Sequence, residues 1–516
     1  DRVPPADEDE GDWDAVARAF AERLVPQAAW LRDHLADWTP EERTWLGENL
    51  QTLTDHAIAE ASYIYGDDDV ARERTNRRIV ALLARVDRAG LARAAAEIHA
   101  IVTASLPGLR ARAAAEPRTG LLAELDTDAG RIEIWGHGPQ RHTRRCLLRI
   151  DLGGDDSDLD AAAGADLTLP VSIHVDLAGD DVYGATAPFR QAGALCGVAL
   201  LIDERGDDQY LARQWAQGAA VAGVAILEDR AGRDTYRGRE ACQGAALVGA
   251  AVLADADGDD TYSGDRFCQG VGFAAGVGAL LDAAGADRYA CTGRYPSEYG
   301  EDGVFSGWGQ GVGFGFRGVA SGGIGLLHDR AGDDLYEAGN FSQGGAYFFA
   351  WGVLRDDAGD DRYVGSRYAQ GYAAHQAAGT FVEGGGDDLY QSHAGVAQGL
   401  SWDETSVLFH DHGGDDRYQT RGFSLASAAH NGMVVFVDGG GDDRYADLPA
   451  KASSNTYHGG SSFALFVDVA GADVYAGRDA ARWNGRAHWR HGGAYILDLD
   501  GARPLRDLVR PAGEDE

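Results

Sequence analysis

Carboxylates recur in pairs five residues apart along much of this 516-residue chain. Asp203 and Asp208, Asp229 and Asp234, Asp255 and Asp260, Asp282 and Asp287, and Asp329 and Asp334 each bracket a glycine-containing turn. Flexible oxygen-rich turns with a glycine at the bend suit hard cations, and calcium takes about six to eight oxygens from such loops. The same carboxylates can instead cap their turns by accepting backbone N–H groups. Both readings stay open on the sequence. The expected cofactor is Ca2+, with these ten aspartates as its ligands.

A second set carries a different chemistry. Eight and seven residues before Glu383, Asp411, Asp438 and Asp498 stand His375-Gln376, Asp403-Glu404, His430-Asn431 and Arg490-His491. Imidazoles and carboxylates at equivalent places in neighbouring repeats make an acid/base or metal constellation. If the chain is an enzyme, His375 or His430 is the base. Asp403 or Glu404 is then the acid or a metal ligand, and Arg490 stabilises charge. The same backward count in earlier repeats meets apolar pairs: Leu195-Cys196, Val221-Ala222, Leu247-Val248, Ala274-Ala275 and Phe348-Phe349. The plain alternative is a solvated turn that happens to be polar. A third set lies in and near an insert, residues 290–309. Its Tyr295, Tyr299 and Trp308, together with Trp402, are expected to be exposed and to suit sugar rings. The plain alternative there is a tucked loop covering a sheet edge.

The element that must position these residues is a short repeat. Gly-x-Asp-x-Tyr returns at Tyr183, Tyr210, Tyr236, Tyr262, Tyr289, Tyr336, Tyr363, Tyr390, Tyr418, Tyr445 and Tyr475. Most steps are 26 to 28 residues, as from Tyr183 to Tyr210, and the long step from Tyr289 to Tyr336 holds the insert. Strands such as Val198 to Ile202 are too short for helices and are bounded by Gly and Asp. The period is too short for a propeller blade of about 40 residues. A parallel β-helix of about twelve coils, stacked at roughly 4.8 Å, fits residues 131–502. Stacking predicts a tyrosine ladder. It also predicts an amide ladder of Gln217, Gln243, Gln269, Gln310, Gln343, Gln370 and Gln398, each amide bonding its copies.

Residues 13–130 read differently, as an α-helical domain that caps the open end of the solenoid. Val16, Phe20 and Leu24 keep helical spacing, and Thr39-Pro40-Glu41-Glu42 is a capping box leading to Trp45, Leu46, Leu50 and Leu53. Gly90 is expected to stop one helix, and Pro107-Gly108 the next. His137 and His142 read as loop histidines. Residues 1–12 form an acidic segment that is expected to be disordered and begins as a processed chain would, and 503–516 form a tail. The net charge of −36 argues against nucleic acid. No run of about 20 apolar residues suggests a membrane span. The five cysteines, with Cys242 and Cys268 expected in adjacent coils, read as small buried hydrophobes ahead of a disulfide or soft-metal site.

The Gly-x-Asp-x-Tyr units look like the Gly-Gly-x-Gly-x-Asp calcium repeats of secreted bacterial toxins. Residues 146–500 also resemble bacterial repeat proteins built from Leu-x-Asp-x-x-Gly-Asp-Asp-x-Tyr and Gln-Gly units, including an insert that opens like Arg294-Tyr295-Pro296. The resemblance implies the coil fold, and the expected location is secreted or periplasmic. By analogy of fold alone, β-helical pectate lyases and polygalacturonases suggest a polysaccharide ligand. The expectation is a secreted calcium-binding β-helix that binds a polysaccharide or acts on it as a glycoside hydrolase or lyase. The alternative is a non-enzymatic, calcium-stabilised adhesin or cell-surface scaffold.

Overall fold

A computed structural model describes residues 12–49, 70–297, 299–453, 460–475, 485–490 and 493–499. Residues 148–498 form a parallel β-solenoid of about twelve turns. One coil runs through three strands. Val198–Asp203 lies in a broad sheet A, Gln209–Leu211 in sheet B and Ala219–Val221 in sheet C, and the chain then re-enters sheet A at Val224–Glu228. Equivalent residues pair directly, Leu201 with Leu227 and Tyr210 with Tyr236. The motif glycine is required at the first corner because successive turns stack without space for a side chain. A Cβ on Gly206 would stand 1.6 Å from the carbonyl oxygen of Gly179. By packing, the chain falls into two compact units, one mostly of residues 1–282 and one mostly of 283–516.

The core is built from columns. Inward residues of sheet A read Leu201, Leu227, Leu253 and Leu280 in the first unit, and Phe381, Phe409, Phe436 and Phe466 late in the second. Phe409 stacks on Phe381 at 4.7 Å and on Phe436 at 4.2 Å. Where sheets A and C converge, Ala194, Ala199, Ala220, Ala225, Ala246 and Ala251 are wholly buried, so only a methyl separates the backbones. At the start of the solenoid the aromatic core gives way to charge. Arg149 is buried between Asp158 at 2.9 Å and Glu133 at 3.2 Å, with His142 and His174 beside it. His142 is therefore no loop histidine: it sits on a short strand, 3.3 Å from Asp151.

The helical region does more than close an end. The helix Arg88–Thr103 lies against the outer face of sheet A at strands Val198–Asp203 and Val224–Glu228. His99 bonds Glu228 at 2.6 Å and Arg110 bonds Glu204 at 2.6 Å along the same side. The end itself is closed by an antiparallel strand, Leu121–Thr127, and the far end by Ala487–Arg490. Both remove an open edge. The capping box forms, with Thr39 N donating to Glu42 at 2.9 Å and Glu42 N to Thr39 Oγ1 at 3.2 Å. Leu50 and Leu53 lie outside the described residues. Gly90 begins a helix instead of ending one: Asp87 accepts its N–H, and a Cβ there would meet the Trp30 ring at 2.2 Å. Pro107 likewise opens the helix Leu106–Ala115, where its missing N–H costs nothing. Among the described residues no helix is long and apolar enough to cross a membrane. The five cysteines are buried and form no disulfide with one another.

The tyrosine ladder is present in both units. Ring centroids are 4.8 Å apart from Tyr183 to Tyr210 and 4.7 Å from Tyr336 to Tyr363, with planes within 13° of parallel. Each hydroxyl donates to the strand-ending acid of the next coil: Tyr210 to Asp229 and Tyr236 to Asp255, both at 2.7 Å. The amide ladder takes another form. Gln243 Nε2 donates to the carbonyl oxygens of Tyr236 at 3.1 Å and Ser263 at 3.0 Å, tying one coil to the next through the backbone. Gln370 does the same with Tyr363 and Gln391. Backbone carbonyls win because the glutamines occupy a left-handed corner, φ 58° at Gln243, facing strand ends. Tyr236→Phe removes one ladder donor and leaves a buried acceptor unmet. It should lower stability by about 1–3 kcal/mol, measured as a fall in the thermal midpoint; an unchanged midpoint contradicts the ladder's role.

Candidate functional site

Two candidate sites follow from the coil geometry. The first is the double row of buried carboxylates at the Gly-x-Asp-x-Tyr corner. Asp203, Asp229, Asp255 and Asp329 end their sheet A strands and accept the tyrosine hydroxyls. At Asp203 and Asp329 the other oxygen serves the turn, Asp203 Oδ1 accepting from Arg205 N and Asp329 Oδ1 from Ala331 N, both at 3.1 Å. Asp208, Asp234, Asp260 and Asp334 each accept, through Oδ1, the backbone N–H of the equivalent aspartate one coil earlier, all at 2.6 Å. Turn capping is thus visible at both rows.

Capping does not use every oxygen. Oδ2 of Asp208, Asp234 and Asp334 is buried without a hydrogen-bond partner. One ligand oxygen each from Asp181, Asp203 and Asp208 lies within 4.8 Å of the others, and Asp208, Asp229 and Asp234 repeat the arrangement, as do Asp234, Asp255 and Asp260. Burial, then the facing carboxylates Asp203 and Asp229, push Asp208 up to about 12. Burial and Asp229 push Asp234 to about 9, and burial and neighbouring acids push Asp260 and Asp334 to about 10. Asp229 and Asp255 move up for the same first reason, burial. The row therefore needs a neutralising partner, a proton or a cation. The donors are all hard oxygens and fit calcium in type and spacing; the protein supplies fewer of them per cluster than the six to eight or so of a full shell.

The second candidate is the corner between sheets C and A. The residues singled out by sequence sit there in consecutive coils. His375 Nδ1 is hydrogen-bonded to Asp403 Oδ2, and Gln376 Nε2 donates to Glu404 at 2.9 Å. The backbones are laced as well: His375 N donates to Trp402 O at 3.2 Å and Glu404 N to His430 O at 2.9 Å. Trp402, half-buried, meets the His430 ring edge-on at 4.7 Å. Asn431 lies against Gly460, where an added Cβ would stand 2.7 Å from its carboxamide. Arg490 is not at a corner; it belongs to the antiparallel closing strand, paired with Ala494. His491 lies outside the described residues.

The corner's backbone explains why equivalent positions differ between the units. His375, Gln376, Asp403, Glu404, His430 and Asn431 all have φ between 52° and 69°. Phe348 and Phe349 share this double left-handed turn. In the first unit the corner is shorter: Leu195, Val221 and Leu247 still belong to sheet C, and a single left-handed residue, Cys196, Ala222 or Val248, precedes a glycine. Counting back from the strand-ending acid is therefore off by one there. Phe348-Phe349 remains the true apolar counterpart. Phe349 is 51% exposed and Trp351, two residues on, 47%. Counting back marks Phe348-Phe349 only as an apolar pair. Exposed, bulky and left-handed together was the overlooked combination.

The insert folds back on itself, with Ser297 N donating to Val304 O and Ser306 N to Tyr295 O. It is held by Asn340 to Ser297 Oγ at 2.9 Å and Arg367 to Glu301 at 2.7 Å. Trp308 is not exposed as expected. It is fully buried and stacked on Phe341 at 4.0 Å, because the insert's end re-enters the coil and fills the core. Tyr295 is half-buried under the Arg266 guanidinium at 3.5 Å, and Tyr299 stays 38% exposed with Arg367 over its ring. The insert joins sheet B to sheet C, so strand Val312–Phe314 lies between it and the C-to-A corner. The chain matches no family model, no curated protein and no solved structure.

In metal-free buffer the raised carboxyls impose a sign on stability. Their unfolded values lie near 3.9 and the folded ones at about 9 to 10 for Asp234, Asp260 and Asp334. The stability held by their protons is complete below about pH 4 and drains away as pH rises toward 10. Chelator-treated protein should melt at a lower temperature at pH 9 than at pH 6; an equal or higher midpoint at pH 9 contradicts the assignment.

Proposed function

We propose that this protein is a calcium-stabilised β-solenoid that binds an extended polysaccharide along the C-to-A corner of its second unit. One observation carries the ligand reading. Phe349 is half-exposed at its left-handed corner, whereas other left-handed aromatics such as Trp215, Phe267, Trp308 and Phe341 are buried, and the same row continues into the His375–Asp403 and Gln376–Glu404 pairs. An aromatic face followed by acid and amide groups suits a sugar strand, which offers an apolar ring face and a rim of hydroxyls. A secreted or periplasmic setting, where both polysaccharide and calcium are abundant, fits this reading.

If catalysis accompanies binding, His375 oriented by Asp403 supplies the base and exposed Glu404 the acid, as a glycoside hydrolase or lyase requires. The scaffold or adhesin reading draws on a different fact. His, Asp and Asn tolerate left-handed backbone better than most residues, and His375 is only 7% exposed. Geometry alone would then favour the polar corner. Phe349 is what that alternative leaves unexplained.

Calcium would be held by Asp203 and Asp208 with Asp181, and by the equivalent clusters built on Asp229 and Asp234 or Asp255 and Asp260. Its role is to neutralise a row that otherwise takes up protons. Elemental analysis of dialysed protein should find calcium, and chelation at pH 8 should lower the melting temperature. Metal-free protein with a midpoint indifferent to chelator rejects calcium.

The ligand reading is checked by calorimetry against a panel of acidic and neutral polysaccharides, with a reducing-end and an unsaturated-product assay alongside. Phe349→Ala and Glu404→Gln should each weaken binding about tenfold or more, roughly 1.4 kcal/mol, with the melting temperature retained. Unaltered binding in both variants, or no binding to any polysaccharide, removes the reading.

A further inference from the structure

The outer face of sheet A is apolar in both units but differently finished. In the first unit Val198, Leu200 and Ile202 point outward and are buried under the helical region. In the second unit seven parallel strands, from Ile324–Asp329 to Ala494–Asp498, pair in register and no helix lies against them among the described residues. Their alternating burial marks every second residue as outward. Ile324, Leu408, Met433, Phe463 and Tyr495 are 37 to 46% exposed there. No Asp or Glu stands at any outward position of these strands. The outward charged or titratable groups are Arg355, His328 and His410, the first two tied to Asp357 at the face's edge.

We propose that this face is where a second copy of the chain docks. Two facts select that occupant. The chain carries a net charge of −36, so two copies repel across acid-bearing surface and meet without that penalty only where carboxylates are missing. The area also suffices. Strands about 4.8 Å apart and about 3.3 Å per residue give a footprint on the order of 600 Å2, close to the roughly 800 Å2 per partner of a standard interface once side-chain relief is added. A two-fold axis lying in the plane of the interface, parallel to the face, sets the patch against its own copy, and the two sheets pack about 10 Å apart as in a sandwich. Phe349 and the polar corner lie at the rim, so docking does not depend on the ligand reading.

Size-exclusion chromatography with light scattering tests it on the full chain. The wild type should give about twice its 54.7 kDa mass. Leu408→Glu and Phe463→Glu should give the single-chain mass with circular dichroism and melting temperature retained. If either fails to fold, Ser406→Glu adds a carboxylate at an already exposed polar position and must still weaken the dimer about tenfold or more. A wild type that stays monomeric up to about 100 µM overturns the proposal, including one that instead sediments with lipid vesicles. A dimer that survives the Leu408→Glu, Phe463→Glu double variant overturns it equally.

Discussion

Carboxylates stacked one coil apart, out of water, repel one another unless something pays their charge down, and everything else in this fold is arranged around that constraint. The tyrosine hydroxyl is the first answer: each donates to the acid of the next coil, so the aromatic column and the acid column form one ladder. The backbone is the second, since each Asp208-type carboxylate receives an N–H from the coil before. What these leave over is a buried oxygen in most coils, as at Asp208 Oδ2 and Asp234 Oδ2, facing a neighbouring acid. On the calcium proposal, protons and calcium would compete for that vacancy in charge. Low pH favours the first and calcium-rich surroundings the second.

Regular stacking also decides what the surface can do. Because register is kept from coil to coil, a change at one corner position lands beside its copy about 5 Å away. That is how His375 meets Asp403 and Gln376 meets Glu404, although 28 residues separate each pair. The double left-handed turn narrows which residues can stand there, and it accounts for the abundance of His, Asp and Asn. Phe349 is exposed where other left-handed aromatics such as Phe267 and Phe341 are buried, which is why it weighs more than the polar residues do.

Much of this was legible before any coordinates. The period of Tyr183 to Tyr475, the Asp and Gly punctuation and the short apolar strands lead straight to a stacked coil, because each signal repeats about a dozen times. Features that occur once were read less well. Gly90 looks like a helix stop until Trp30 is seen filling the space beside it, and Trp308 looks exposed until the insert is seen returning to the core. The one-residue difference between corners is invisible to counting, since the coil absorbs it between sheets C and A. The buried Arg149 cluster was hinted at only by Asp158 standing where a tyrosine belongs.

The most direct test of the central claim is to count what the protein releases when it unfolds. Calorimetry in buffers of different ionisation enthalpy at pH 7, with free calcium monitored in parallel, measures both. Metal-free protein should release protons on the order of one per coil, as carboxyls raised to about 9 to 12 in the fold return to about 4. Calcium-loaded protein should release ions in place of most of those protons. Unfolding that releases neither would mean the buried row is ionised and unaccompanied, and the ladder could not be held together as described.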